Sequence, residues 1–189
     1  MKLGLTGGIG CGKSEALRIF GEAGWRTLST DSIARDLLHR NQGVRSAVME
    51  EFGTLERKEI AVQAFREKGK KAVLEGILHP RINRHWRDAL EKAPEDNWVV
   101  EIPLLVEKRL ETHFDLVVCV ISSPGIQLQR LVQRGMARED ALARMANQAP
   151  LPEKIEKSDI VLTNNGSISF LEAQIRKLCQ GFGIPPLPR

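Results

Sequence analysis

The residues with the clearest chemical potential stand near the start of the chain. Gly7-Gly8-Ile9-Gly10-Cys11-Gly12-Lys13-Ser14 fits G-x-x-x-x-G-K-[ST] at every fixed position. Glycines carry no Cβ, so backbone N–H groups there can turn toward phosphate oxygens at close range. A helix beginning near Lys13 points its positive end at the same oxygens. The Lys13 ammonium can reach the outer phosphates, and the Ser14 hydroxyl can ligate Mg²⁺. The string therefore points to a nucleoside triphosphate; the alternative is a glycine-rich turn without a ligand. Cys11 contributes its backbone, and a helix N-terminus beside it can lower its thiol pKa and expose it to oxidation. The strings N-K-x-D and D-x-x-G, which a switch-type GTPase should carry, are absent.

The next candidate is Asp31. It follows a short strand-like run, which places it at the carboxyl edge of a sheet, where ligands of open α/β sheets bind. A carboxylate there can take a proton from an attacking hydroxyl or help hold Mg²⁺. The alternative is helix N-capping of Ser32-Ile33-Ala34-Arg35.

These residues need a scaffold, and the hydrophobic pattern supplies one. Short apolar runs alternate with helical spacing, the mark of a parallel α/β sheet. Leu3 to Thr6, Trp25 to Ser29, Trp98 to Ile102, Leu116 to Ile121 and Asp159 to Leu162 read as strands. Ala16, Leu17, Phe20 and Ala23 fall at helical spacing and Gly24 reads as the stop. A closing helix places Ile168, Leu171, Ile175 and Leu178 on one face. Two helical stretches interrupt the rhythm, residues 31–94 and 127–157; they read as insertions within a single domain spanning 1–189. Residues 182–189, rich in proline, read as a loose tail.

Composition narrows the class. The chain has 189 residues, 42% hydrophobic and 28% charged, enough to build a core and unlike a disordered chain. The longest run free of Asp, Glu, Lys and Arg, Leu116 to Gln129, falls short of the ~20 apolar residues of a membrane span. No apolar leader follows Met1-Lys2, so the expected location is the cytoplasm. Cys11, Cys119 and Cys179 are far apart and form no C-x-x-C pair, which implies neither disulfides nor zinc. Cys119, in an apolar run, reads as a buried core thiol. Of the net charge of +4, the segment from Arg57 to Lys92 carries +5, with 10 basic and 5 acidic residues. That bias suits an anionic ligand or is a solvated helix face. Aromatic residues make up 5% and Tyr is absent, which leaves little for base stacking, so a nucleic-acid partner is not expected.

Over residues from Leu3 to about Gly166 the sequence closely resembles the dephospho-CoA kinase family. The resemblance rests on Leu5-Thr6-Gly7-Gly8-Ile9-Gly10, Gly12-Lys13-Ser14, Asp31-x-Ile33-Ala34-Arg35, Leu78-His79-Pro80-x-Ile82, Pro103-Leu104-Leu105-x-Glu107, Arg130 with Arg134, Arg144 with Gln148, and Asn164-x-Gly166. It implies a P-loop kinase with a five-stranded parallel sheet, an acceptor-binding helical insertion (31–94) and a lid (127–157). It implies transfer of the ATP γ-phosphate to the ribose 3′-hydroxyl of dephospho-CoA, with Mg²⁺, by a monomer or weak homo-oligomer.

By this resemblance Asp31 is the base. Gly8, Gly10, Cys11, Gly12, Lys13, Ser14 and Glu15 surround the phosphates, and Arg134 and Arg144 are lid cations. Arg35, His79, Pro103 and Leu104 face the acceptor, with an X-Pro bend at His79-Pro80. Ser14 serves the metal, Glu101 sits near it through water or is a solvated strand end, and Asn164 contacts adenine or else caps a helix or forms a turn. Three departures stand out. Ser29-Thr30-Asp31 replaces the D-x-D of many relatives, Glu15 replaces the usual Ser or Thr, and the link from Phe52 to Arg57 is short. Another P-loop kinase, with a nucleoside, nucleotide or shikimate-like acceptor, a binding module that uses ATP as a switch, and a degenerate enzyme are the rival readings.

Overall fold

A computed structural model describes residues 1–182, the side chain of Phe65 excepted. The Pro-rich stretch 183–189 of the expected tail lies outside the described residues. The strands are β1 (Lys2–Gly7), β2 (Arg26–Ser29), β3 (Trp98–Glu101), β4 (Leu116–Ile121) and β5 (Ile160–Thr163). The helices are α1 (Lys13–Glu22), α2 (Thr30–Arg40), α3 (Gln42–Phe52), α4 (Arg57–Arg66), α5 (Lys70–Lys92), α6 (Pro124–Gln133), α7 (Arg138–Ala146), α8 (Leu151–Glu156) and α9 (Ile168–Gly181).

All five strands pair in parallel in the order β2-β3-β1-β4-β5. This is the doubly wound α/β arrangement, with β1 at its centre. Central parallel strands are covered on both faces, so they need apolar residues throughout. Accordingly Leu3, Leu5, Val99, Val100, Val118, Cys119 and Val120 are buried. Gly4 in β1 has a packing reason: a Cβ there would lie 2.7 Å from both the Leu105 and Phe114 side chains. Ala16, Ile19 and Phe20 of α1 and Leu171, Ile175 and Cys179 of α9 join the same core.

The strand expectations hold to within a residue or so. Trp25 is outside β2: it closes the α1 turn, with its N–H on the Phe20 carbonyl, and its ring meets Phe20 and Phe182 edge-on. Its indole N–H donates to the Cys179 sulfur at 3.2 Å. Gly24 takes φ +92 in that turn, a value a side chain would resist.

Residues 1–29 and 95–182 belong to one compact unit, and Thr30–Pro94 forms another. The second unit is helical. Leu78, Ile82, Trp86 and Leu90 of α5 recur every four residues and are buried, as are Ile33 and Leu38 of α2, Val44, Val48 and Phe52 of α3, and Ile60 and Ala64 of α4. Asn41 caps α3 by accepting the Val44 N–H at 3.0 Å. His79-Pro80, where a bend was expected, lies inside α5, which continues through Pro80. The carbonyl that proline orphans belongs to Gly76, an exposed residue that water can reach, and the Arg81 guanidinium donates to the next carbonyl, Ile77, at 2.7 Å.

The stretch 127–157 is three helices with breaks at Gly135 (φ +84) and near Pro150. Pro152 sits in the first turn of α8, where its missing N–H costs no helical bond.

Candidate active site

The loop between β1 and α1 is tightly constrained. Gly12, the N-cap of α1, takes φ +93, and a Cβ there would come 2.2 Å from Asn164 Nδ2. Gly10 takes φ +79 with the Gln127 carbonyl 2.8 Å from its would-be Cβ, and Gly8 is as close to Gln127 Oε1, at 2.9 Å. At Gly8, Gly10 and Gly12 a side chain would collide with the residues packed against the loop.

The loop is braced from behind by side chains distant in sequence. Asn164 Nδ2 donates to the Cys11 carbonyl at 2.9 Å. Arg130 Nη1 donates to the Gly10 carbonyl at 3.3 Å and the Ser122 hydroxyl at 3.1 Å. Its Nη2 reaches Asn164 O at 3.1 Å and Asn164 Oδ1 at 3.3 Å. Ser122 in turn donates to Asn164 O at 2.7 Å. Arg130 suits this place because its planar fork serves several acceptors at once. Asn164, buried at 5% exposure, spends its amide on the loop.

Lys13 is 8% exposed, and its Nζ donates to the Gly7 and Gly8 carbonyls at 3.0 Å each, so the ammonium is folded over the loop. Ser14 Oγ donates to Glu101 Oε1 at 3.3 Å. A hydroxyl and a carboxylate oxygen side by side are hard donors that fit Mg²⁺, which takes one or two protein oxygens and the rest from phosphates and water. Among the described residues no group of three or more His, Cys, Asp or Glu could hold a metal ion. The register also bears on the missing D-x-D carboxylate, because Ser29 pairs directly with Glu101 across the β2–β3 ladder.

Two expectations are corrected. Cys11 is fully buried, and that burial pushes its thiol above the ordinary range; the neighbouring Lys13 charge only partly opposes it. The helix terminus therefore does not make it a reactive thiolate, and oxidation sensitivity is not expected. Cys119 is buried as expected, with its thiol pushed up to about 11 by burial. Asp31 does not cap a helix starting at Ser32, because α2 begins at Thr30 and Asp31 lies within its first turn, exposed. The negative charge there suits the helix N-terminus.

A second departure, Glu15, is held by Arg18: Nε donates at 3.1 Å and Nη2 at 2.6 Å to Glu15 Oε1, while Arg18 Nη1 also pairs with Glu22. Glu15 thus shares Arg18 with Glu22 along its own helix, which offsets its charge only in part.

The remaining expected residues are spread over both units. Arg35 is exposed on α2 and His79 half-buried on α5, both with Asp31 in the helical unit. Pro103 and Leu104 are half-buried in the turn after β3. The Pro103 carbonyl accepts from Thr6 Oγ1 at 3.4 Å. Arg134 is exposed just past α6, and Arg144 is half-buried in the last turn of α7.

Residue-by-residue reading missed the group that fastens α8. Lys154 has no exposed surface and donates to Glu107 Oε1 at 2.7 Å, Glu107 Oε2 at 2.8 Å and the Pro103 carbonyl at 3.1 Å. Glu107 also accepts the Ala149 N–H at 3.0 Å. Burial alone would raise the Glu107 carboxyl, but Lys154 and the backbone donors outweigh it and hold it below the usual range. Nothing in the sequence marks Lys154, since a lysine on a six-residue helix reads as solvated. Glu107 was visible only as part of the Pro103-Leu104-Leu105-x-Glu107 string.

Comparison with known proteins agrees with this geometry. Residues 1–169 match the family model for dephospho-CoA kinase. The chain is 40% identical to dephospho-CoA kinase of Streptomyces avermitilis, covering 93% of this chain and 90% of that one. It is 35% identical to the Corynebacterium glutamicum enzyme of the same name, over 94% and 95%. Among solved structures, a Thermus thermophilus protein superposes with a TM-score of 0.80 at 29% identity, over 96% of this chain and 97% of that one. Dephospho-CoA kinase from Campylobacter jejuni does so with a TM-score of 0.70 at 26%, over 96% and 98%. Shikimate kinase from Bacteroides thetaiotaomicron shares the fold alone, with a TM-score of 0.54 at 14% identity over 97% of this chain and 98% of that one. A glycine cradle braced by Arg130 and Asn164, set in this sheet and matched along most of its length, places the chain in the dephospho-CoA kinase family.

Proposed function

We propose that this chain transfers the γ-phosphate of ATP to the ribose 3′-hydroxyl of dephospho-CoA, yielding coenzyme A and ADP. The observation that carries the reading is the braced Gly7–Ser14 loop with Lys13 folded over it, in a chain of this family. The amides of the loop and the positive end of α1 hold the β- and γ-phosphates. Lys13 leaves the Gly7 and Gly8 carbonyls for phosphate oxygens, exchanging two neutral partners for an anion. Arg134 and Arg144, which lie between the fixed residues Arg130 and Gln148, add permanent positive charge on the transferring group as the lid proposed within 127–157 closes.

Asp31 accepts the proton of the attacking hydroxyl. The acceptor oxygen then forms a bond to the γ-phosphorus while the bond from phosphorus to the β–γ bridging oxygen breaks, and ADP leaves with that electron pair. Arg35, His79, Pro103 and Leu104 orient the acceptor. Ser14 and Glu101 would hold Mg²⁺, which supplies charge neutralisation across the phosphate oxygens. Most of the rate arises from positioning and fixed charge rather than covalent chemistry. Among the described residues no helix is long and apolar enough to cross a membrane. We place the enzyme in the cytoplasm, acting as a monomer or weak homo-oligomer on a small-molecule substrate, without nucleic acid.

Incubation of the purified chain with ATP, Mg²⁺ and dephospho-CoA, followed by mass spectrometry, tests this directly. One added phosphoryl group on dephospho-CoA is expected. Its absence, with shikimate or a nucleotide phosphorylated instead, would overturn the acceptor assignment.

A further inference from the structure

A side chain from the far end of the 127–157 segment grips the phosphate loop. Gln148 Oε1 accepts the Ile9 N–H at 2.8 Å, across 139 residues of sequence. The next residue, Ala149, donates its N–H to Glu107 at 3.0 Å, and Lys154 binds both oxygens of the same carboxylate. Leu151, between them, packs on Gly8, its Cδ2 lying 3.2 Å from where a Gly8 Cβ would stand. Residues 148–154 are therefore fastened to the loop at one end and to the turn after β3 at the other. The α7 helix ends at Ala146, two residues before Gln148, and Arg144 stands in its last turn.

A glutamine is well suited to such a joint. Its amide oxygen satisfies a partly buried backbone donor that would otherwise cost free energy, and it adds no charge beside a triphosphate. We propose that Gln148 is a positioning residue that couples α7 to the phosphate loop, so that Arg144 meets the transferring phosphate. The proposal rests on the kinase reading above and adds to it a residue with no direct contact to the reacting atoms. It gives Gln148 a consequence distinct from stability: losing the joint lets Arg144 wander while Lys13 and the loop still hold ATP.

The test is a double-mutant cycle on phosphoryl transfer. Gln148→Met keeps length and removes the acceptor. Its kcat is expected to fall about tenfold, the loss of one hydrogen bond's worth of orientation, with the KM for ATP changed less than about threefold. Arg144→Ala is expected to cost more, and the double variant no more than Arg144→Ala alone, because without the guanidinium the joint has nothing left to position. Penalties that multiply in the double variant would overturn the coupling, as would a Gln148→Met enzyme at full kcat. A wild-type chain that transfers no phosphate to dephospho-CoA would instead defeat the kinase reading, a result separable from all of these.

Discussion

Replacing Lys154 by methionine is the sharpest probe of what holds the catalytic scaffold together. The four-carbon stem is preserved in volume, while three donated hydrogen bonds vanish: two to Glu107 and one to the Pro103 carbonyl. Glu107 is left in a site where its side chain is only 21% exposed, with backbone donors such as Ala149 as its remaining partners. Breaking a buried pair on one side costs about 3–5 kcal/mol, because the surviving charge stays buried without its counter-ion. The residual exposure of Glu107 places the expected cost near the lower end, about 3 kcal/mol. For a chain of this size that is a fall in Tm of roughly 6–12 °C.

The pH dependence fixes the cause. In the native protein the Glu107 carboxyl lies below its ordinary value, so its contribution to stability is complete above the unfolded carboxylate pKa of about 4.3 and is lost as pH falls through the lower native value. In Lys154→Met the balance reverses: burial now dominates, the carboxyl rises, and protonation relieves it. The deficit should therefore be largest near pH 7 and shrink as pH approaches about 4. Thermal unfolding followed by circular dichroism from pH 4 to 8 measures this. The double variant Glu107→Leu with Lys154→Met, which removes both charges, should recover most of the loss. A deficit independent of pH, or a double variant as unstable as the single one, would refute the reasoning.

Gly12→Ala forces a Cβ to within 2.2 Å of Asn164 Nδ2 at φ +93, so the Asn164–Cys11 brace must yield; titration with a fluorescent ATP analogue should show affinity reduced at least about tenfold, the cost of a left-handed non-glycine residue plus a lost hydrogen bond. Asp31→Asn, at an exposed position, should lower Tm by no more than a few degrees, through the lost charge at the α2 N-terminus, and leave ATP affinity unchanged while kcat falls by roughly 10²–10⁴-fold, the usual worth of a general base; steady-state kinetics with near-normal turnover would remove Asp31 from that role.

The phosphate loop was legible because its constraints are local. Glycines at 7, 8, 10 and 12 and the Lys13-Ser14 pair announce close backbone approach and an anion, and the strand before and helix after set their context. The parallel sheet was equally plain, since strands covered on both faces must be apolar along their length. The braces were not legible. Asn164 lies 153 residues from the Cys11 carbonyl it holds, and Arg130 lies 120 residues from that of Gly10. Either residue can do many things in a sequence, and only the ladder that sets β4 beside β5 brings their ends to the loop.

The same limit explains Cys11 and Lys154. A thiol at a helix N-terminus should ionise easily by local rules, yet the core packed over Cys11 makes desolvation the larger effect. Lys154, by composition a surface residue, is carried into the interior by α8 and made tolerable there by Glu107. What the amino-acid order determined by itself was the chemistry available and the periodicities that build strands and helices, because both depend on neighbours a few residues apart. Which polar groups meet, which charges are stripped of water and what stands behind the loop were decided by tertiary structure, because burial and electrostatics depend on distance in space.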